Sequence, residues 1–210
     1  MEAYEKKRHP FLLLMVIVLL ALTLNLLAGS GFGSFPGFGA LRVRKLETVQ
    51  LPQWVEVDLI EVDGVSRRGQ RLEDIQNIVI HYVGNPGTSA RANRNWYASA
   101  ESEVSSHFLV GLDGEVILCV PLHERSSASN HRNRDTISIE VCHPDDSGKF
   151  SDTTYDALVR LTAWLVEVCG LDAQDVIRHY DITGKECPRY YVKNEDSWQA
   201  LLQDVAAAAP

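Results

Sequence analysis

The sequence has no excess of basic residues, no closely spaced cysteine pair, no internal repeat and only one long apolar run. These shortages narrow what the chain can be. With 20 Lys and Arg against 28 Asp and Glu, the net charge is −8. A nucleic-acid binder needs a basic surface to displace counterions from phosphates, so no nucleic-acid partner is expected. Cys119, Cys142, Cys169 and Cys187 form no CxxC pair and no dense framework, which argues against a disulfide-stapled scaffold. What is present is ordinary for a folded chain. Apolar residues make up 45 % and charged residues 23 % of 210 positions, enough for a real core in one domain with an N-terminal extension.

The one long apolar run extends from Phe11 to Ala28, broken only by Thr23 and Asn25. As a helix it spans roughly 27 Å, close to the bilayer's hydrocarbon core of about 30 Å. Lys6, Lys7 and Arg8, in a basic segment over residues 1–10, keep the N-terminus inside and place the chain beyond the run outside the cytoplasm. The run over 11–28 is therefore expected to be a single-pass anchor in the cell membrane. The alternative is a signal peptide cut at Ala28-Gly29-Ser30, leaving a secreted protein. Leu27-Ala28-Gly29-Ser30 has serine where a lipobox needs cysteine, so lipid anchoring is rejected.

Residues 29–45 begin GSGFGSFPGFG and read as a Gly/Phe-rich linker, and 46–76 as an extended arm. The main domain is expected over 77–206. Ile78 to Val83 is a β-branched run suited to a buried strand, and Ser89 caps a helix over Ala90 to Ser99. Asp113-Gly114 between apolar stretches signals a type I′ hairpin. Thr136 to Cys142 is a further strand. Thr153 opens a capping box with Asp156, ahead of apolar residues at helical spacing that end at Gly170. Val176 to His179 is a short strand, and a last helix starts at Asn194 or Glu195. Interleaved strands and helices imply an α/β fold: a single domain with a central mixed β-sheet flanked by helices, preceded by the transmembrane or signal segment. Cys119, Cys142 and Cys169 read as small core residues, and Trp96 and Trp164 as packing residues.

Three residues stand out for their chemistry. His81 and His179 each end an apolar strand, and Cys187 follows His179 by eight positions in RHYDITGKECP. Imidazole nitrogen and thiolate suit zinc, and a catalytic site needs three protein ligands with one position open to water. Gly184 can supply the bend that returns Cys187 to His179, and Pro188 stiffens the exit. On spacing alone, packed histidines and a buried free cysteine remain an open alternative.

Four segments in order carry a resemblance. IVIHY at 78–82, VSSHF at 104–108, DTISIE at 135–140 and HYD at 179–181 through Cys187-Pro188 resemble the type 2 zinc-dependent N-acetylmuramoyl-L-alanine amidases, a superfamily that includes phage lysozyme-type amidases and peptidoglycan-recognition proteins. The resemblance implies one zinc ion per chain on His81, His179 and Cys187. It implies peptidoglycan or muropeptide as substrate, cut between N-acetylmuramic acid and the L-alanine of the stem peptide by zinc-activated water. It makes Lys185 an oxyanion stabiliser. One branch of the family has a tyrosine just before the histidine of the second segment, where this chain has Ser106; another uses a glutamate, which here is Glu140. A structural ion pair between Glu140 and Arg134 is the alternative. Asn130 and Asn133 are expected to touch substrate, His107 to touch it by lining the cleft or else to hydrogen-bond a neighbour, and Asp181 to cap a turn. Two other readings stay open: a non-catalytic peptidoglycan-recognition domain, and a structural zinc site with His107 or Asp181 as fourth ligand.

Overall fold

The computed structural model describes residues 38 to 209, Asp63 excepted. The basic segment, the apolar run 11–28 and the Gly/Phe stretch up to residue 37 lie outside the described residues, and so do the anchor and cleavage-site expectations. Among the described residues no helix is long and apolar enough to cross a membrane.

Six strands form one sheet: β1 (Val55–Val57), β2 (Asn77–Tyr82), β3 (Phe108–Val110), β4 (Val116–Leu118), β5 (Thr136–Val141) and β6 (Val176–Arg178). Their spatial order is β1-β4-β3-β5-β2-β6. Only β3 and β4 pair antiparallel; the other neighbours are parallel. This is the mixed sheet expected. The helices are α1 (Phe38–Leu46), α2 (Ala90–Tyr97), α3 (Asp152–Cys169), α4 (His179–Thr183), α5 (Arg189–Lys193) and α6 (Glu195–Ala208).

Strand alternation sorts the side chains onto two faces. Ile78 and Ile80 of β2, Phe108 and Val110 of β3, and Ile137 and Ile139 of β5 share the main core with Leu158, Leu161 and Leu165 of α3 and Leu201 of α6. The opposite face holds a smaller cluster, in which Leu109 and Ile117 meet Ala90 and Tyr97 of α2. His81, Ser138 and Glu140 alternate with the main-core residues, so they fall on this second face. Cys119, Cys142 and Cys169 are buried, as expected of small core residues.

Several local expectations are corrected. From Phe38 onward the linker expected over 29–45 is α1 instead, because Gly/Phe composition ends at Gly39 and Val43 and Leu46 bury one helical stripe. The arm 46–76 is part of the domain: β1 extends the sheet beside β4, and Leu72 and Ile75 join the main core. A boundary at residue 77 therefore cuts through shared packing. The β3–β4 connection is a longer loop than a two-residue turn. Gly111 N–H donates to Glu115 C=O at 2.8 Å and only Gly114 has positive φ, at 79°, so the turn is type I with a glycine bulge rather than type I′. Helix α3 is capped by Ser151, whose Oγ accepts from Thr154 N–H at 3.3 Å, two residues ahead of the expected cap. Its C-terminus is the expected Gly170, left-handed at φ 63°.

Replacing Ser151 by Ala is expected to cost about 1 kcal/mol of stability. Thr153→Ala, at an exposed position, should stay within about 0.5 kcal/mol of the parent. Urea unfolding of the two variants separates the caps.

Candidate active site

Three adjacent parallel strands end together. In the register of β2 with β5, His81 lies opposite Glu140. In the register of β2 with β6, Ile80 lies opposite Arg178, so His179, the next residue, arrives beside His81. The crevice beyond the carboxyl ends of parallel strands is where such sheets bind ligands. Here it opens into a groove of about 1360 Å³ lined by His81, His179, Cys187, Glu140 and Lys185 among others.

After β6 the chain makes one short helix, α4, and turns at Gly184, left-handed at φ 75°. The return is closed by the Tyr180 N–H donating to the Cys187 carbonyl at 2.9 Å. This puts the Cys187 Sγ 3.8 Å from His81 Nδ1. The His81 and His179 ring centroids are 4.6 Å apart. One donor atom from each of His81, His179 and Cys187 lies within 4.8 Å of the others, all three residues being buried. Tetrahedral zinc sets its nitrogen and sulfur donors about 3.3 to 3.6 Å apart, so a small inward movement closes the set.

The unused atoms point to a cation. His179 Nε2–H donates to Asn130 Oδ1 at 2.9 Å, while its Nδ1 is buried with no partner. Such an orphan needs a reason, and an electron pair facing a thiol and a second imidazole is what a metal ligand looks like before loading. Burial, the neighbouring His179 and Lys185 hold the His81 imidazole well below the usual histidine range. Burial and Lys185 lower His179 as well. Both rings thus stay neutral, the form that donates to metal. Burial, reinforced by Glu140, pushes the Cys187 thiol up to about 12; a thiolate there needs a cation beside it. The donor set fits a metal ion.

Glu140 is mostly enclosed, with Oε1 3.9 Å from His81 Nδ1 and Oε2 buried without a partner. Burial raises its carboxyl to about 8, against the opposing pull of Lys185. The alternative pairing with Arg134 does not form. Arg134 precedes β5 and lies beside Asp135 instead. Lys185 is exposed on the groove rim.

The remaining expectations divide. His107 does not touch the groove. The β3 register sets Leu109, not His107, opposite Glu140, so His107 sits one pleat lower beside Ser138. It is fully buried, with Nδ1 3.1 Å from Ser138 Oγ and Nε2 2.9 Å from the Glu124 carbonyl. Neither a substrate contact nor a fourth ligand is available from it. Asn133 borders the groove, but its Oδ1 accepts from the Ala128 and Ser129 N–H groups at 3.1 and 2.6 Å, which makes it a turn-former. Asn130 borders the groove with its side chain committed to His179. Asp181 pairs with Arg178 at 3.0 Å and caps α4, outside the donor cluster. Trp164 packs edge-on against Phe108, whereas Trp96 is 51 % exposed and does not pack.

Two groups were not foreseen. Ser129 Oγ stands 3.4 Å from His81 Nε2. Tyr97, at the end of α2, reaches the groove with its hydroxyl 3.2 Å from Ser106 Oγ, and burial with the nearby Glu140 keeps that phenol protonated. A helix-end tyrosine and a loop serine give no spacing signal that would single them out.

Residues 71–190 match the family described as N-acetylmuramoyl-L-alanine amidase. Among curated relatives, the N-acetylmuramoyl-L-alanine amidase BlyA of Bacillus subtilis strain 168 is 32 % identical over 172 residues, covering 70 % of this chain and 46 % of that protein. The N-acetylmuramoyl-L-alanine amidase CwlL of Bacillus licheniformis is 29 % identical over 165 residues, covering 70 % and 45 %. The chain thus spans about half the length of these relatives. Among solved structures, the catalytic domain of XlyA superposes with a TM-score of 0.61 at 25 % identity, over 70 % of this chain and 98 % of that one. A mutant endolysin from Bacillus subtilis gives 0.63 at 26 %, over 70 % and 97 %.

The buried His107 yields a pH signature. Burial lowers its pKa to about 4, below the roughly 6.5 of an unfolded histidine. Below that value the unfolded chain takes up a proton that the folded chain refuses. Its effect on stability is absent above about pH 6.5 and grows to about 3 kcal/mol by pH 4. Unfolding free energies at pH 7, 5 and 4 should fall more steeply for the wild type than for His107→Gln.

Proposed function

The chain belongs to the N-acetylmuramoyl-L-alanine amidase family, and on that premise we propose that it hydrolyses the amide between the lactyl group of N-acetylmuramic acid and the L-alanine of the peptidoglycan stem peptide. The observation that carries this is the convergence of His81, His179 and Cys187 donors within 4.8 Å at the floor of an open groove. One zinc ion suits this borderline-soft set of two nitrogens and a sulfur, with a position left for water. When bound, it lowers the pKa of water towards neutrality and polarises a carbonyl.

The chain's own groups supply the rest. Glu140, whose carboxyl burial raises to about 8 with no ion beside it, would be drawn to its ionised form by a cation held on His81, His179 and Cys187, and as a carboxylate takes a proton from the attacking water. As the carbon–nitrogen bond breaks, it returns that proton to the departing amine of L-alanine. Lys185, on the groove rim, places a positive charge where the carbonyl oxygen becomes negative. Neutral His81 and His179 keep their electron pairs directed at the cluster and take no part in proton transfer. Tyr97 remains a neutral donor on the groove wall.

A non-catalytic recognition domain is the rival reading. What favours the enzyme is Glu140, a carboxylate with an unpartnered oxygen 3.9 Å from a ligand imidazole. Such a group serves proton transfer and is costly in a site that only binds. For location, we favour a single-pass anchor formed by residues 11–28 with the domain outside the cytoplasm, where the wall lies; secretion after cleavage is the alternative.

Full-length chain incubated with purified peptidoglycan should release new L-alanine amino termini, and chelator should abolish the release. No release despite one bound zinc per chain would overturn the enzyme reading. Glu140→Gln should retain zinc and lose about 10²- to 10⁴-fold in rate. Lys185→Ala should retain zinc and lose about 10²-fold in kcat.

A further inference from the structure

The turn between β4 and β5 holds both imidazoles from behind. His179 Nε2–H donates to Asn130 Oδ1 at 2.9 Å, and His81 Nε2 stands 3.4 Å from Ser129 Oγ, so neighbouring residues of one turn address the two rings. Among the described residues Asn130 alone, glycines apart, has positive φ, at 55°. A side chain there is strained, least so for Asn and Asp, and persists only where the surroundings impose it.

The surroundings do impose it. Asn133 Oδ1 gathers the N–H groups of Ala128 and Ser129, and Arg132 N–H donates to the Ser129 carbonyl at 3.0 Å. The Arg132 guanidinium reaches Asp135 at 2.7 Å and Asn77 Oδ1 at 2.6 Å. Ser126 Oγ lies 2.7 Å from Ser138 Oγ. The turn is therefore pinned to β2 through Asn77 and to β5 through Ser138, the strands that present His81 and Glu140.

We propose that Asn130, supported by Ser129, is a positioning residue that fixes the imidazoles with Nε2 protonated, so that both Nδ1 lone pairs converge with Cys187 Sγ on one ion. The inference rests on the metal-site reading of His81, His179 and Cys187. A neutral imidazole without such a partner divides its proton between two nitrogens, and the tautomer with Nδ1–H cannot ligate through that atom. Asn meets both demands of the position: it tolerates the left-handed backbone and offers an amide oxygen to the ring N–H. This differs from the substrate contact expected from the sequence, in which Asn130 would act on KM alone.

The test uses the full-length chain and zinc chloride, with the dissociation constant read by competition against a chromogenic chelator. Asn130→Gly keeps the backbone conformation and deletes the acceptor; Asn130→Asp keeps both. Asn130→Gly should weaken zinc binding about 10- to 100-fold. In the metal-free protein, nitrogen-15 spectra should show His179 shifting from the Nε2–H tautomer towards a mixture. Asn130→Asp should keep wild-type affinity and tautomer. If Asn130→Gly binds zinc as the wild type does, with or without a raised KM, the positioning role is wrong while the metal site stands. A wild-type chain that takes up no zinc overturns both.

Discussion

The parallel register of β5, β2 and β6 is the constraint on which the rest depends. A strand presents alternate residues to opposite faces, so a slip of one position would send His81 and Glu140 into the main core and expose Ile80 and Ile139 to the crevice. The register is held because those isoleucines are wholly buried against α3. Chemistry on one face is thus fixed by packing on the other. The third strand adds His179 without needing its own long pairing, since three residues of β6 suffice to deliver it.

The same enclosure works in opposite directions on different groups. Removing water disfavours charge, which keeps the imidazoles neutral and the Glu140 carboxyl protonated up to about 8. Lys185 acts from the rim: its positive charge opposes protonation of the rings and favours the ionised carboxylate. A single exposed cation therefore moderates the acid while reinforcing the ligands. Deep burial of Lys185 would cost more solvation than the arrangement returns.

Much of this could be read from the chain. Histidine closing an apolar strand is conspicuous, and His81, His179 and Cys187 stand out by residue type and position. Helix ends announced by Ser89 and Gly170 also fell where expected. What failed were features decided by pleat or by distant contact. His107 sits within a recognisable segment, but a segment does not reveal how far down the sheet a residue falls, and the register set it one pleat below Glu140, beside Ser138. Asp-Gly serves both a type I′ turn and a glycine bulge, and loop length chose the second. Thr153 and Asp156 fit a capping pattern, yet the chain leaves the extended region at Ser151, so the helix starts earlier. The contacts of Ser129 and Asn130 span 48 and 49 positions, beyond any local pattern.

The cluster also has a mechanical side. His81 and Cys187 are 106 positions apart, so an ion shared between them closes a loop containing half the chain. The entropy of such closure grows only with the logarithm of loop length, but it is substantial for so long a span. Folding and loading would then be one linked equilibrium, in which the ion clasps β2 to the returning α4 segment and each tenfold excess over its dissociation constant adds about 1.4 kcal/mol to the folded state. Scarcity of metal would leave the sheet's β6 edge, held to β2 by three paired residues, without the ion that clasps it.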